Sequence, residues 1–255
     1  MKTKYLAALV LIFTLNLRAI IFESDKLSEI YKHTNKNTLV IFDIDDTIMT
    51  PKIWPGSNTW LEHEIKRIQK KGLEFEDALY LILPLYFSVH QFTEDMMAPL
   101  DNSPKLIKTL QKNNIKTMAL TNRSMPMLKI TLKELQGIGI DFLKNSLYGQ
   151  DLELSITHKG RFSEGIIFCG NNDKGELLFQ FLEKIGFRPE KIIFIDDKLK
   201  NVKSVQVAVE KREIKFVGIR LSVIDEIKKS FDPTEAEKQL SQFKTKLGIA
   251  PLQCD

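Results

Sequence analysis

Cysteine is almost missing from this chain. Cys169 and Cys254 are the only two among 255 residues, too few for a disulfide framework, although in an oxidising compartment they can pair. Cys169 lies in the apolar run 165–169 and reads as a small buried residue. Histidine is scarce as well. His33, His63, His90 and His158 show no metal-ligand spacing, and each reads as a surface or internally satisfied side chain. There is no internal repeat and no low-complexity tract. Neither sign of charge dominates: the net charge is +4, three of those charges being Lys2, Lys4 and Arg18, so the balance gives no reason to expect a nucleic-acid or membrane partner. The lysine pairs 70–71 and 228–229 read as solvated helix faces.

Long apolar stretches are confined to the N-terminus. A short positive start is followed by the uncharged stretch 5–17 and then by Leu17-Arg18-Ala19. This is the pattern of a secretory signal peptide over 1–19, shorter than the roughly 20 residues a membrane span needs. Leu17 and Arg18 make an imperfect cleavage site, so an uncleaved anchor is the alternative. The expectation is an exported chain, periplasmic or secreted, with no stable anchor after cleavage.

The remaining chain is rich enough in apolar residues, 43% overall, for a folded α/β domain. Short apolar runs at 38–42, 116–120, 191–195 and 214–219 read as buried strands, and helical patterns separate them, which is the alternation of a parallel sheet. A helix at 104–113 has Ser103 as its expected N-cap and Pro104 at its first position; others run from about 126 to 137 and from 174 to 184. Two stretches break the alternation. Residues 51–102 are too long for a connection and carry helical patterns at 59–71 and 75–91, the second with Pro84 as an expected kink, so they read as an inserted helical cap. Residues 141–170 read as a β-hairpin extension. The domain expectation is therefore a core at 20–50 and 103–231, a cap at 51–102, and a C-terminal helix and tail at 232–255. Trp54 and Trp60 read as packing between cap and core, and Tyr80, Tyr86 and Phe87 as helix core.

The chemistry concentrates where strands end. The first run leads into Asp43-Ile44-Asp45-Asp46-Thr47, the second into Thr121-Asn122, the third into Asp196-Asp197, and Lys174 opens a helix. In an open parallel sheet, ligands bind at the carboxyl ends of the strands. Carboxylates crowded there repel one another unless a hard cation sits among their oxygens, and a small oxygen set suits Mg²⁺. Any one of these pieces alone reads as a helix cap, a turn or a surface lysine; the specificity lies in their order and placement. Asp173 reads as the cap of the helix at 174, Asp46 as a partner of the turn backbone, and Asn201 as a residue that orients the acidic pair.

Taken together, these segments resemble the haloacid dehalogenase-like superfamily, whose four motifs they match in order: Asp43-x-Asp45-x-Thr47, Thr121, Lys174 and Asp196-Asp197. The resemblance spans about 38–220, and the insertion after the first motif corresponds to that superfamily's cap. Pro51…Gly56-Ser57…Trp60 and Asn172-Asp173-Lys174-Gly175 are similar to a branch of secreted bacterial proteins in it, from which no substrate carries over. The resemblance implies a Rossmann-like parallel sheet sandwiched by helices and a Mg²⁺-dependent phosphohydrolase acting on a phosphorylated substrate of unknown identity. Asp43 would be the nucleophile and Asp45 the general acid/base. Thr121, Asn122 and Lys174 would bind phosphate, with Arg123 a further candidate to touch the substrate. The metal would be held by Asp43, the Asp45 backbone carbonyl, Asp196 and Asp197. Alternatives on the same residues are a phosphotransferase or phosphomutase, or a secreted binding or effector protein with little turnover.

Overall fold

The computed structural model describes residues 19–94 and 96–248; all but the last residue of the leader expected over 1–19, and Cys254, lie outside them. Strands are β1 (Ala19–Ser24), β2 (Thr38–Phe42), β3 (Met49–Pro51), β4 (Met97–Pro99), β5 (Lys116–Thr121), β6 (Leu152–Ser155), β7 (Lys159–Ser163), β8 (Ile166–Phe168), β9 (Lys191–Asp196) and β10 (Lys215–Leu221). Helices are α1 (Asn58–Gln69), α2 (Phe75–Phe92), α3 (Ser103–Lys112), α4 (Leu128–Gly137), α5 (Lys174–Lys184), α6 (Leu199–Glu210), α7 (Asp225–Lys229) and α8 (Pro233–Lys246).

One sheet runs in the order β1-β10-β9-β2-β5-β8-β7-β6. It is parallel from β1 through β8 and antiparallel only in the β8-β7-β6 meander. This is the expected α/β architecture, and the hairpin read at 141–170 becomes the sheet's far edge. The middle strand explains itself. Every residue of β2 is buried, as a strand covered on both faces requires. Val40 and Phe42 point into one core, with Leu106, Ile107 and Leu110 of α3 and Leu135 of α4. Leu39 and Ile41 point into the other, with Leu177 and Phe181 of α5 and Val202 and Val205 of α6. The alternation is the two-residue period of a strand.

Register makes the strand ends level. Phe42 stands opposite Ile195 of β9 and Ala119 of β5, so Asp43, Asp196 and Thr121 leave the sheet at one edge. The chain then turns back through Asp46, whose φ of 62° is one that Asp tolerates better than most side chains. Helices α1 and α2 sit between β3 and β4, which pair with each other as a separate two-stranded ribbon.

Several expectations change. Ala19 pairs with Phe216 and opens edge strand β1, so a cut after Ala19 would leave that strand starting at Ile20. Asn102, with φ 55°, precedes α3, and Ser103 is the helix's first residue, its hydroxyl donating to the Ile48 carbonyl at 2.5 Å. Helix α2 continues through Pro84. Tyr86 is buried, but Tyr80 is 80% exposed and not core. Trp60 is fully buried, and Trp54 meets Phe231 edge-on at 5.2 Å. The expected C-terminal helix is present as α8 and packs on the chain: Gln239 accepts the Trp54 amide at 2.8 Å, and Phe243 is buried. Among the described residues no helix is long and apolar enough to cross a membrane.

Gly175 allows α5 to lie close against α6. A Cβ there would run into the Ser204 carbonyl and stand 2.8 Å from the Ala208 methyl. Gly175→Ala gains helix propensity but overpacks the contact, so we expect a net loss of about 2 kcal/mol in urea unfolding. Gly137→Ala, where a Cβ meets nothing within 4 Å, should be neutral or slightly stabilising in the same measurement.

Candidate active site

Lys174 is the centre of the site. Its helix is fixed at its start by Asp173, whose carboxylate accepts the Glu176 amide at 2.9 Å and the Ser204 hydroxyl at 2.8 Å, the N-cap expected from sequence. Ser204 in turn accepts the Gly175 amide at 3.0 Å. Held this way, the 3% exposed Lys174 donates to Asp43 Oδ1 at 2.6 Å and to Asp196 Oδ2 at 2.7 Å. One ammonium thus bridges the ends of two neighbouring strands.

The acids around it are tightly braced. Asp196 also accepts Asn201 Nδ2 at 2.9 and 3.0 Å and the Lys198 amide at 2.8 Å, so Asn201 does orient the acidic pair. Thr47 donates to Asp43 Oδ2 at 3.3 Å and accepts the Asp197 amide at 3.1 Å, joining the first and fourth segments. Asp197 is paired with Lys228 of α7 at 2.6 Å, and Lys228 also reaches Asp46 at 3.1 Å. This corrects the reading of Lys228 as solvated surface, although Lys229 beside it is 71% exposed. It also corrects Asp46, whose side chain meets Lys228, Asn58 and Thr50 rather than the turn backbone.

Asp43, Asp196 and Asp197 offer carboxylate oxygens that all lie within 4.8 Å of one another. Burial and then the Asp196 charge hold the Asp43 carboxyl well above its ordinary range, against the pull of Lys174. Burial and Asp196 likewise push Asp197 up to about 6. Among the described residues, Asp43, Asp46, Asp196 and Asp197 share only Lys174 and Lys228, so the cluster keeps more carboxylates than lysines. A hard divalent cation on an all-oxygen set relieves that excess, so the residues fit such an ion. The Asp45 carboxylate is not in this cluster.

Asp45 is held elsewhere. Arg123 grips it with two bonds, Nε at 2.9 Å and Nη2 at 2.7 Å, a planar fork that lysine cannot reproduce. The other guanidinium nitrogen donates to Glu134 at 2.6 Å and Thr131 at 2.9 Å. Glu134 meets His90 Nδ1 at 2.6 Å, and His90 Nε2 meets the Gly56 carbonyl at 3.0 Å. Both ring nitrogens of His90 are thus engaged. Burial opposes ionisation of Asp45, but the Arg123 charge outweighs it and lowers that carboxyl. The same balance of burial against Arg123 lowers Glu134.

Thr121 is buried and its hydroxyl accepts the Arg123 amide at 3.1 Å, while Asn122 is exposed; both line a cavity with Asp43 and Asp45. Arg123 lines it too, but its fork is spent on Asp45 and Glu134. Glu134 and His90 escaped the sequence reading. The signal was present: Glu134 falls between Ile130 and Leu135 on the buried face of α4, and His90 follows Ala78, Ile82 and Tyr86 at four-residue steps along α2. Cys169 is fully buried and its thiol is pushed up to about 12 by burial, as a packing residue.

Residues 23–249 match the family described as "Protein of unknown function (DUF2608)". A Chlamydia trachomatis protein named "Putative outer membrane protein" is 26% identical over 188 residues, 73% of this chain and 70% of that one. An uncharacterised protein of Rickettsia prowazekii is 24% identical over 241 residues, 87% and 82% of the two chains. Among solved structures, a hydrolase from Pseudomonas syringae aligns with a TM-score of 0.46 and 16% identity over 84% of this chain and 100% of that one. The class C acid phosphatase of Bacillus anthracis, with tungstate bound, aligns with a TM-score of 0.37 and 14% identity over 85% and 82%. Scores this low leave the fold to rest on strand order and register. The family match extends from β1 to the end of α8, and the chain belongs to the DUF2608 family.

Proposed function

We propose that this protein is a Mg²⁺-dependent phosphohydrolase that works through an aspartyl-phosphate intermediate on a small phosphate ester. The observation that carries the reading is the Lys174 bridge between Asp43 and Asp196, with Asp197 adjoining. It brings a carboxylate nucleophile, a fixed cation and a metal-type oxygen set to one strand edge, as the haloacid dehalogenase-like resemblance implies.

Asp43, Asp196 and Asp197 would hold the metal, which supplies charge neutralisation for the phosphate and for the nucleophile. Asp43 attacks phosphorus, the ester P–O bond breaks, and its electron pair leaves with the alcohol oxygen, which takes a proton from Asp45. Water then attacks phosphorus, the P–O bond to Asp43 breaks, and the Asp45 carboxylate accepts the proton that water releases. Lys174 keeps Asp43 aimed and screens the phosphoryl oxygens, and Thr121 and Asn122 bond them. The Arg123 fork favours the carboxylate form of Asp45, which is the form the second step needs. An incoming phosphate dianion competes with Asp45 for that guanidinium, and this loosens the fork for the first step. Helices α1 and α2 act as the cap that keeps bulk water from the acyl phosphate. Export belongs to the same reading; it rests on the N-terminal pattern, and the printed name of the Chlamydia relative is in keeping with it.

Phosphate release from p-nitrophenyl phosphate should require Mg²⁺, stop on chelation and return when Mg²⁺ is restored. Asp43→Asn should bring it to background, and Asp45→Asn should lower kcat by about 10²–10⁴-fold. Turnover that survives Asp43→Asn would overturn the proposal. Arg123→Met leaves Asp45 and Glu134 buried without their shared cation, and chemical denaturation should register a loss of about 3–5 kcal/mol, with Arg123→Lys falling between it and the parent.

A further inference from the structure

The cavity over the strand ends measures about 460 Å³, the scale of a site that encloses a whole small molecule. Its two sides differ in chemistry. The sheet side carries the acids, Thr121 and Asn122, with His158 of the β6–β7 turn, Lys159 at the start of β7 and Lys198 after β9; Arg123 lines it too, its guanidinium engaged by Asp45 and Glu134. The opposite wall is Leu61 of α1, Leu79, Leu83, Tyr86 and Phe87 of α2, and Met127. No charged residue of α1 or α2 lines the cavity. The one amide on that wall, Asn58, is directed at Asp46 at 3.4 Å. Burial drives the Tyr86 phenol far above its ordinary range, so it stays neutral.

A phosphate seated at Asp43 therefore projects its alcohol part against leucine and aromatic side chains. Sugar hydroxyls or a second phosphate there would lose water and find only the Tyr86 hydroxyl and the Asn58 amide, with no charged group, on the helical wall. An apolar group gains about fourfold in binding for each methylene it buries. Resting on the phosphohydrolase reading, we propose that the site selects phosphate monoesters of apolar, uncharged alcohols, of aryl or short alkyl type, over sugar phosphates and nucleotides. The helical pair is the selecting element, with Leu79 and Leu83 its central contacts.

The test compares kcat/KM for 1-naphthyl phosphate and glucose 6-phosphate on the full-length protein, with acetyl phosphate as a small substrate that makes no demand on the wall. We expect 1-naphthyl phosphate to lead glucose 6-phosphate by on the order of 100-fold. Leu83→Asn should raise KM for 1-naphthyl phosphate about tenfold and shrink that lead; Leu61→Asn is the second variant should the first fail to fold. In parallel, calorimetry on Asp43→Asn compares binding of the same two esters without turnover. Acetyl phosphate hydrolysis that depends on Asp43, with glucose 6-phosphate equal to or better than 1-naphthyl phosphate, overturns the selectivity and leaves the hydrolase intact. No hydrolysis of any ester, with 1-naphthyl phosphate still bound about 100-fold more tightly by Asp43→Asn, overturns the hydrolase and keeps the apolar ligand class. Equal binding of both esters overturns the selectivity in either case.

Discussion

The ammonium of Lys174, out of water between Asp43 and Asp196, is the contact on which the arrangement of this site depends. A lysine is rarely buried unless it is paired, and here burial is tolerated because two carboxylates face it at hydrogen-bond distance. The constraint propagates outward. The ammonium reaches both acids only if β2 and β9 are neighbours with level ends, and only if α5 starts where Asp173 and Ser204 fix it. Gly175 then has to be glycine so that α5 can approach α6. Sheet order, helix cap and helix packing are thus all set to the tolerance of one charged contact.

A second buried network answers the first. Asp45, Arg123, Glu134 and His90 form a continuous chain of contacts from the strand edge to Gly56 before α1. Arg123, Glu134 and His90 are each bonded on both sides, the condition under which a buried polar chain holds a structure together rather than weakening it. It separates two carboxylates that lie two residues apart in sequence. Asp43 belongs to the metal-type cluster with Lys174, whereas Asp45 belongs to Arg123. Burial and Asp196 push the first toward its neutral form, and the second is held ionised. An attacking carboxylate has to be ionised, so the nucleophilic role at Asp43 needs the charge relief that a cation among these oxygens would supply.

What could be read from sequence follows from the range of the forces. The β2, β5 and β9 runs were visible because a strand buried on both faces must be apolar throughout, and the acids were visible because they interrupt those runs at their ends. Asn201 and Asp173 followed from local spacing. Contacts made by long side chains across the fold were not visible. Lys228 sits beside exposed Lys229 with nothing local to distinguish them, yet α7 delivers only the first to Asp197. Glu134 and His90 did leave a trace, as charged or polar residues on buried helix faces, but their partnership joins α2 to α4 and has no sequence period. Edge strand β1 was hidden because 19–24 adjoins the leader, and its pairing with β10 is a contact between chain ends.

Ties between the helical pair and the rest of the chain include the β3–β4 ribbon, the Asn58–Asp46 bond, the Trp54–Gln239 bond to α8, and the His90–Glu134 contact. They are not equivalent. The ribbon is short and can flex. The Trp54–Gln239 bond is partly buried, so water can replace it when it parts. The His90 contact is fully buried, and parting it strands an ionised Glu134 with Arg123 as its remaining charge partner. The contact chain from α2 through His90, Glu134 and Arg123 therefore runs unbroken to Asp45 at the strand edge.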